Sequence, residues 1–339
     1  MSNNRLPDFT YLRPQTVGEA CSVLHEHKSE ARLLSGGTEL LVRMRQGLCA
    51  PKYVVSLNGI TDLRHINYDE HAGLSIGSLT TLHSLVNYSV IRDKYPVLSQ
   101  AARQVSAMPL HHTSTVGGNL CIDTRCIFYN QSSDWGECRP LCFKRGGDMC
   151  HAVKGSEHCQ SVYQGDLAPV LIALGAKIRI NRKDGERIVP LHKFFTGSGE
   201  TPNVLQPDEL ITEIQLPPPA DYSTGSYYKL RIRQAIDFSL ATVAVVLDTD
   251  EYEVCRKANL VLGAISAAPI EVEAIDKIFN GRKIDNSLIE AAAAEALEVA
   301  HPVNNLSIDA KYRRKMVRVL TRRAIEQALL VWQSNEKQY

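Results

Sequence analysis

The chain has 339 residues, of which 44% are hydrophobic and 22% are charged, and its formal net charge is +1. This length allows two or three domains with buried cores, and so small a net charge disfavours recruitment to nucleic acid or to an anionic membrane surface. No apolar run opens the sequence and none approaches 18 residues in length. We therefore expect a cytoplasmic protein without a secretory signal or a membrane span.

The first 60 residues predict a β-α-β unit with a glycine turn at its centre. The segment "TVGEACSVLHEH" has helical spacing, with Thr16 as a candidate N-cap and Glu19 three positions later. "ARLLSGG" predicts a short strand that ends at Gly36 and Gly37. "TELLVRMRQG" predicts a helix closed by Gly47, and "KYVVSL" predicts another strand.

Residues 61–220 mix strand and helix signals. "LSIGS", "KIRINR" and "ELITEIQLP" predict strands, while "GDLAPVLIALGA" and a segment interrupted near Pro96 predict helices. Three consecutive prolines in "LPPPADYSTGS" (216–226) predict a linker. Beyond it, "SYYKLRIR", "LATVAVVLD" and "ANLVLGAIS" predict strands that precede two helical segments, so we expect a third, α+β module at 224–335.

Two double-glycine segments are candidates for a phosphate-binding site. "LLSGGTEL" (33–40) lies between a predicted strand and a predicted helix, and "STVGGN" (114–119) follows about 80 residues later. Glycine lets backbone N–H groups approach a phosphate closely, and Thr38 would cap the following helix or bond an oxygen. Neither segment matches the nicotinamide-dinucleotide or nucleoside-triphosphatase motifs. The pair indicates either a dinucleotide pyrophosphate site or two ordinary turns.

Cysteines are concentrated in one region, since six of the nine lie between positions 121 and 159. A reducing compartment and the odd total disfavour a disulfide framework. The region forms a predicted loop of about 45 residues, and loops of such length in compact domains are usually functional or disordered. Bound metal would order it by cross-linking thiolates. The spacings match neither paired zinc knuckles nor compact ferredoxin motifs, so an iron–sulfur cluster, zinc and unligated thiols all remain open.

Five segments, in the same order over nearly the whole chain, resemble the flavin subunits of the xanthine dehydrogenase and carbon monoxide dehydrogenase (molybdenum hydroxylase) family. They are "FTYLRPQTVGEA", "LLSGGTELL", "STVGGN", "GDLAPVLIALGA" and "KLRIRQAIDFSLATVAV". The resemblance implies an α+β fold: a PCMH-type FAD-binding domain with lobes at 1–60 and 61–220, and a CO dehydrogenase flavoprotein-like C-terminal domain. It also implies FAD at both glycine segments and no catalytic acid, base or nucleophile. The FAD-binding positions implied in this way are Leu33, Leu34, Ser35, Gly36, Gly37, Thr38, Glu39, Leu40, Thr115, Gly117, Gly118, Asn119, Asp166 and Lys229.

The cysteine-rich insertion, at about 121–162, resembles that of the β subunit of 4-hydroxybenzoyl-CoA reductase, which carries an extra [4Fe–4S] cluster there. The pattern C-x15-C-x7-C-x8-C implies four cluster ligands, Cys126, Cys142, Cys150 and Cys159. Cys121 matches a family cysteine that is not a ligand, and Cys138 has no counterpart.

The resemblance implies an electron-transfer subunit of a molybdenum-dependent reductase. Electrons would pass from a ferredoxin-like donor through the cluster and FAD to a small [2Fe–2S] subunit and a large molybdenum subunit, in a dimer of heterotrimers. The complex would reductively dehydroxylate a hydroxylated aroyl-CoA such as 4-hydroxybenzoyl-CoA. Two alternatives stand beside it: a flavin subunit of an oxidative molybdenum hydroxylase with a structural cluster, and a non-enzymatic assembly module stabilised by zinc.

Overall fold

The computed structural model describes residues 5–131 and 138–336, so residues 132–137 of the cysteine-rich insertion lie outside the described residues. In the described part, strands form three sheets and helices pack against each of them. The predicted α+β class is confirmed. No helix in these ranges is long and apolar enough to cross a membrane.

The first lobe contains a parallel sheet with the strand order β1-β3-β2. Thr16 caps the first helix as predicted, because its side chain accepts the N–H of Glu19 at 3.1 Å. Gly47 follows the second helix with a φ of 69°, a conformation that favours glycine. The elements are β1 (Thr10–Leu12), α1 (Val17–His27), β2 (Ala31–Leu34), α2 (Leu40–Arg45) and β3 (Tyr53–Ser56).

The second lobe contains a five-stranded antiparallel sheet with the order β4-β5-β8-β6-β7. A helix break near Pro96 is confirmed, since one helix ends at Lys94 and the next begins at the proline. The strands are β4 (Ile66–Asp69), β5 (Gly73–Gly77), β6 (Lys177–Arg182), β7 (Gly185–Pro190) and β8 (Leu210–Leu216). The helices are α3 (Leu82–Asn87), α4 (Ser89–Lys94), α5 (Pro96–Arg103), α6 (Val116–Leu120) and α7 (Leu167–Ala173).

The third sheet is antiparallel, has the order β12-β11-β10-β9 and is buried on both faces. Val243, Val245 and Leu247 pack into a core with the C-terminal helices, whereas Ala244 and Val246 pack into the core of the second lobe. Burial of both faces explains the continuous apolar run in this strand. The elements are β9 (Ser223–Leu230), β10 (Ala241–Thr249), β11 (Cys255–Gly263), β12 (Ile270–Glu271), α8 (Ala274–Phe279), α9 (Asn286–Val299) and α10 (Ala310–Glu336).

The connection before this sheet is shorter than the predicted linker at 216–226. Strand β8 ends at Leu216, and β9 begins at Ser223, which pairs with Asp248 of β10. The small residues are needed for packing: a Cβ on Gly225 would lie 2.8 Å from the Val245 carbonyl oxygen. The polar, turn-like composition of this segment therefore belongs to a strand that fits closely against its neighbours.

Candidate functional site

A cavity of about 320 Å³ is lined by residues of both the first and the second lobe. This volume lies at the lower end of the range of about 300–1,000 Å³ that is usual for ligand pockets. We call it the flavin cavity, after the cofactor that the sequence predicts. Of the predicted FAD-binding residues, Leu34 and Lys229 do not belong to the wall. The predicted residues in the wall are Leu33, Ser35, Gly36, Gly37, Thr38, Glu39, Leu40, Thr115, Gly117, Gly118, Asn119 and Asp166.

The first glycine turn, between β2 and α2, requires glycine at both positions. Gly37 has a φ of 74°, which other residues rarely adopt. A Cβ on Gly36 would lie 1.9 Å from the backbone oxygen of Thr113, in the segment before the second glycine pair. The two glycine segments therefore touch, and Ser114 donates a hydrogen bond to Thr38 at 3.3 Å. The predicted cap by Thr38 is wrong, because Glu39 is the N-cap residue of α2 and has no side-chain cap.

The second glycine segment forms part of the short helix α6, whereas the first is a turn between a strand and a helix. Thr115 is its N-cap and accepts the Gly118 N–H at 3.1 Å. A Cβ on Gly117 would lie 2.8 Å from the Ser78 Cβ, so glycine permits close packing here. Thr115 also donates to Ser35 at 3.2 Å, a second contact between the two segments.

Asp166 and Lys229 form a buried ion pair behind one wall of the flavin cavity. The Lys229 Nζ lies 2.8 Å from Asp166 Oδ2, and the lysine side chain is 0% exposed. Tyr227 and Ser239 donate to the other carboxylate oxygen at 2.7 and 2.5 Å. Burial, followed by the charge of Asp166, raises the pKa of the Tyr227 hydroxyl well above its usual value. The carboxylate thus holds α7 against β9, and the lysine does not line the cavity.

Several cavity residues were missed by sequence reasoning. Ser78 follows β5, and its buried hydroxyl has no hydrogen-bond partner in the described ranges. The buried Nε atom of Arg43 has none there either. Arg43 Nη2 lies 2.6 Å from Asp123 Oδ2, and both residues line the cavity. A second pair, Arg125 with Glu39 at 2.8 Å, links the cysteine-rich insertion to the first lobe. Isolated polar residues such as these carry no local sequence pattern that could have identified them.

The cysteine-rich insertion is closed at its base by backbone pairing. Arg125 and Val162 exchange two backbone hydrogen bonds, each 2.8 Å long. Asn305, from the segment before α10, accepts the backbone N–H of Ile127 at 2.9 Å and donates to the Gln160 carbonyl oxygen. The insertion is therefore attached both to itself and to the C-terminal domain.

All four predicted cluster ligands line one small cavity within the insertion. They are Cys126, Cys142, Cys150 and Cys159, and we call this space the cysteine cavity. Three of the four cysteines are buried and Cys150 is half-buried, whereas Cys138 is exposed and does not line the cavity. Among residues 5–131 and 138–336, no three His, Cys, Asp or Glu side chains are grouped so that they could hold a metal ion.

Burial favours the protonated form of two of these thiols, those of Cys126 and Cys159. Burial raises the pKa of the Cys126 thiol to about 11, and the nearby sulfurs of Cys159 and Cys150 add to the effect. Burial also raises the pKa of Cys159, although a hydrogen bond with Ser161 and the charge of Lys144 oppose it. Metal binding at this cavity would release protons, because the ligands are thiolates.

Two lobes meet at a cavity walled by glycines, and an α+β domain packs against the second lobe. Residues 7–219 match the family model described as the FAD binding domain in molybdopterin dehydrogenase, and residues 226–328 match the CO dehydrogenase flavoprotein C-terminal domain. The chain belongs to the FAD-binding medium subunits of the molybdenum hydroxylase family, which includes xanthine dehydrogenase and CO dehydrogenase, and it is an oxidoreductase subunit.

Individual relatives are similar along most of their length. The chain is 27% identical over 320 residues to the carbon monoxide dehydrogenase medium chain of Afipia carboxidovorans, covering 94% of this chain and 96% of the relative. It is 31% identical over 280 residues to the aldehyde oxidoreductase FAD-binding subunit PaoB of Escherichia coli, covering 79% and 85%. A crystal structure of Cu,Mo-CO dehydrogenase matches with a TM-score of 0.79 at 25% identity, covering 96% of this chain and 98% of that one.

Proposed function

We propose that this chain carries both FAD and a [4Fe–4S] cluster, and that it is the electron-transfer subunit of a molybdenum-dependent reductase. The observation that carries the proposal is the convergence of four cysteines, spread from position 126 to position 159, on one cavity. Three of these thiols are buried, whereas Cys138 is exposed and does not line the cavity.

The flavin cavity suits the pyrophosphate of FAD. Its glycines allow the two lobes to touch here, and they place no side chain in the space. Ser78 and Arg43 add buried polar atoms that have no hydrogen-bond partner in the described ranges. In this assignment the segments Leu33–Leu40 and Thr115–Asn119 hold FAD, while Lys229 acts only by fixing Asp166.

We favour an iron–sulfur cluster over a single zinc ion because the cysteine spacing resembles that of an inserted iron–sulfur loop and does not match paired zinc knuckles. Each of the four thiolates would bind one iron of the cluster. Phe128, Tyr129 and Met149 line the same cavity and would limit the access of water to the cluster.

When bound, the cluster supplies one-electron transfers and FAD supplies storage for two electrons. In the proposed complex, a ferredoxin-like protein is the donor, and a small [2Fe–2S] subunit and a large molybdenum-cofactor subunit are the partners. The proposed reaction is reductive dehydroxylation of a hydroxylated aroyl-CoA such as 4-hydroxybenzoyl-CoA. In this proposal the substrate binds the large subunit.

Ligand variants test the assignment of the cluster. Cys150→Ser and Cys142→Ser should lose iron and sulfide while they retain FAD, because the two cavities have separate walls. Cys138→Ser is the matched control in the same insertion and should keep both cofactors. Loss of iron in the control and its retention in both ligand variants would overturn the assignment.

A second candidate is the flavin subunit of an oxidative hydroxylase in which the cluster is structural. The names of the relatives favour it, since they include carbon monoxide dehydrogenase, xanthine dehydrogenase and aldehyde oxidoreductase. Anaerobic titration of the cluster and flavin potentials in the purified complex separates the two. A cluster potential well above that of the flavin, with no turnover of hydroxylated aroyl-CoA thioesters, would favour the oxidative function.

A further inference from the structure

A buried ion pair joins the wall of the flavin cavity to the wall of the cysteine cavity. Asp123 lines the first cavity and Lys144 lines the second, and Lys144 Nζ lies 2.6 Å from Asp123 Oδ1. The other carboxylate oxygen lies 2.6 Å from Arg43 Nη2. The side chains of Lys144 and Asp123 are 5% and 14% exposed. Two cations therefore share one carboxylate, and the group keeps one net positive charge next to the cysteine cavity.

Hydrogen bonds continue from this pair to one of the proposed cluster ligands. Lys144 Nζ lies 2.5 Å from Thr124 Oγ1 and 2.5 Å from the Gly199 carbonyl oxygen. Thr124 Oγ1 lies 2.6 Å from Ser161 Oγ, which lies 3.1 Å from the Cys159 sulfur. Thr124 and Ser161 are both 1% exposed, so water does not compete for these contacts.

When Cys159 is a thiolate, the hydrogen bonds at both ends of this series, at Lys144 and at Cys159, have a fixed direction. The lysine ammonium only donates, and its three acceptors are Asp123, Thr124 and Gly199. A thiolate only accepts hydrogen bonds, so the Ser161 hydroxyl donates to the sulfur. The Ser161 oxygen can then accept a hydrogen bond from Thr124. Thr124 then donates to Ser161 or to the Gly199 oxygen, which is 2.7 Å away. The Gly199 oxygen also lies 3.3 Å from Ser161 Oγ and is a second acceptor for that hydroxyl, so Thr124 orients Ser161 towards the sulfur only when it donates to Ser161.

We propose that Ser161, oriented through Thr124 by Lys144, is a positioning residue that raises the reduction potential of the cluster held by Cys159. Reduction adds negative charge to the cluster and its ligand sulfurs, and a hydrogen-bond donor at the sulfur stabilises that charge. The inference rests on the proposed [4Fe–4S] cluster. The inference concerns only the ligand Cys159, because the series of hydroxyl groups from Thr124 to Ser161 ends at its sulfur.

Redox titration of Ser161→Ala, followed by electron paramagnetic resonance in the anaerobically purified holoprotein, tests the inference. The equilibrium constant for cluster reduction should fall about tenfold, which is about 59 mV for a one-electron couple. Iron, sulfide and FAD contents should not change. Ser156→Ala is the matched control, since Ser156 is half-buried in the same loop and donates to the His158 carbonyl oxygen instead. Its potential should equal that of the wild type.

A double-variant cycle tests whether the residues act as one chain. Thr124→Val should lower the potential by itself, but it should cause no further shift in the Ser161→Ala background. An unchanged potential in Ser161→Ala with the cluster retained would overturn the inference, and so would a full Thr124→Val effect in that background. A wild-type protein without iron and sulfide would instead overturn the proposed function, and the inference with it.

Discussion

Replacing Gly36 with alanine tests whether contact between the two glycine segments shapes the flavin cavity. The added Cβ would lie 1.9 Å from the Thr113 carbonyl oxygen and 2.6 Å from its carbon, and both atoms belong to the backbone. A flexible side chain could rotate away, whereas these atoms move only if the segments separate. We therefore expect the two walls of the cavity to move apart in Gly36→Ala.

The expected magnitude follows from the size of this overlap. The segments must separate by roughly 1 Å, and overpacking of this kind costs about 1–3 kcal/mol. If the FAD-bound protein is destabilised by this amount relative to the apoprotein, the FAD affinity falls by roughly 5- to 150-fold. Gly18→Ala is the control, because its Cβ would meet no atom within 4 Å on the exposed face of α1.

FAD binding can be measured by ultrafiltration and flavin fluorescence, with thermal unfolding of the apoprotein in parallel. Gly36→Ala should bind FAD more weakly than the wild type, and Gly18→Ala should bind it equally well. Wild-type affinity in Gly36→Ala would refute the reasoning, because the cavity would then not depend on close contact between the segments.

Two further predictions concern buried ion pairs. Lys229→Met should destabilise the fold by about 3–5 kcal/mol, because it leaves the Asp166 carboxylate buried without its cation. Lys52→Met, at an exposed pair, should cost far less by the same urea titration, because solvent screens that pair. Equal costs would contradict this reasoning. Burial would raise the pKa of Glu209, but bonds with Arg187 and a backbone N–H lower it below the reference value of 4.5. The ionised Glu209 therefore stabilises the fold above pH 4.5, and this contribution is lost as the pH falls through the lowered pKa. Glu209→Gln should consequently show a shallower loss of stability in acid than the wild type.

Short-range features of the fold were predictable from the sequence because each depends on a few adjacent residues. The cap at Thr16, the break at Pro96 and the glycine after α2 all act through local backbone geometry. A continuous apolar strand such as β10 was also recognisable, although the two separate cores that its two faces enter were not. Those cores depend on which distant helices cover each face.

The incorrect predictions concern positions where distant contacts override local composition. Ser223 and Gly225 have the composition of a linker but form a strand, because β9 fits closely against β10. Gly117 and Gly118 have the composition of a turn but form part of a helix, because α6 packs against Ser78. Local propensities are small relative to such packing energies.

The candidate site was predictable only where a motif spans several residues. Both glycine segments and the spacing of the cysteines are patterns of that kind, and the fold brings each set to one cavity. The contact between Asp123 and Lys144 joins residues 21 positions apart within a loop of irregular structure. No periodicity indicates such a pair, so the connection between the cavities became visible only in the structure.

The most direct test of the central claim is the metal content and spectrum of the anaerobically purified protein. The account predicts about four iron and four sulfide per FAD, flavin absorption bands with a broad iron–sulfur shoulder, and a paramagnetic signal after reduction. A protein that binds FAD but contains zinc, or no metal at the cysteine cavity, would contradict it.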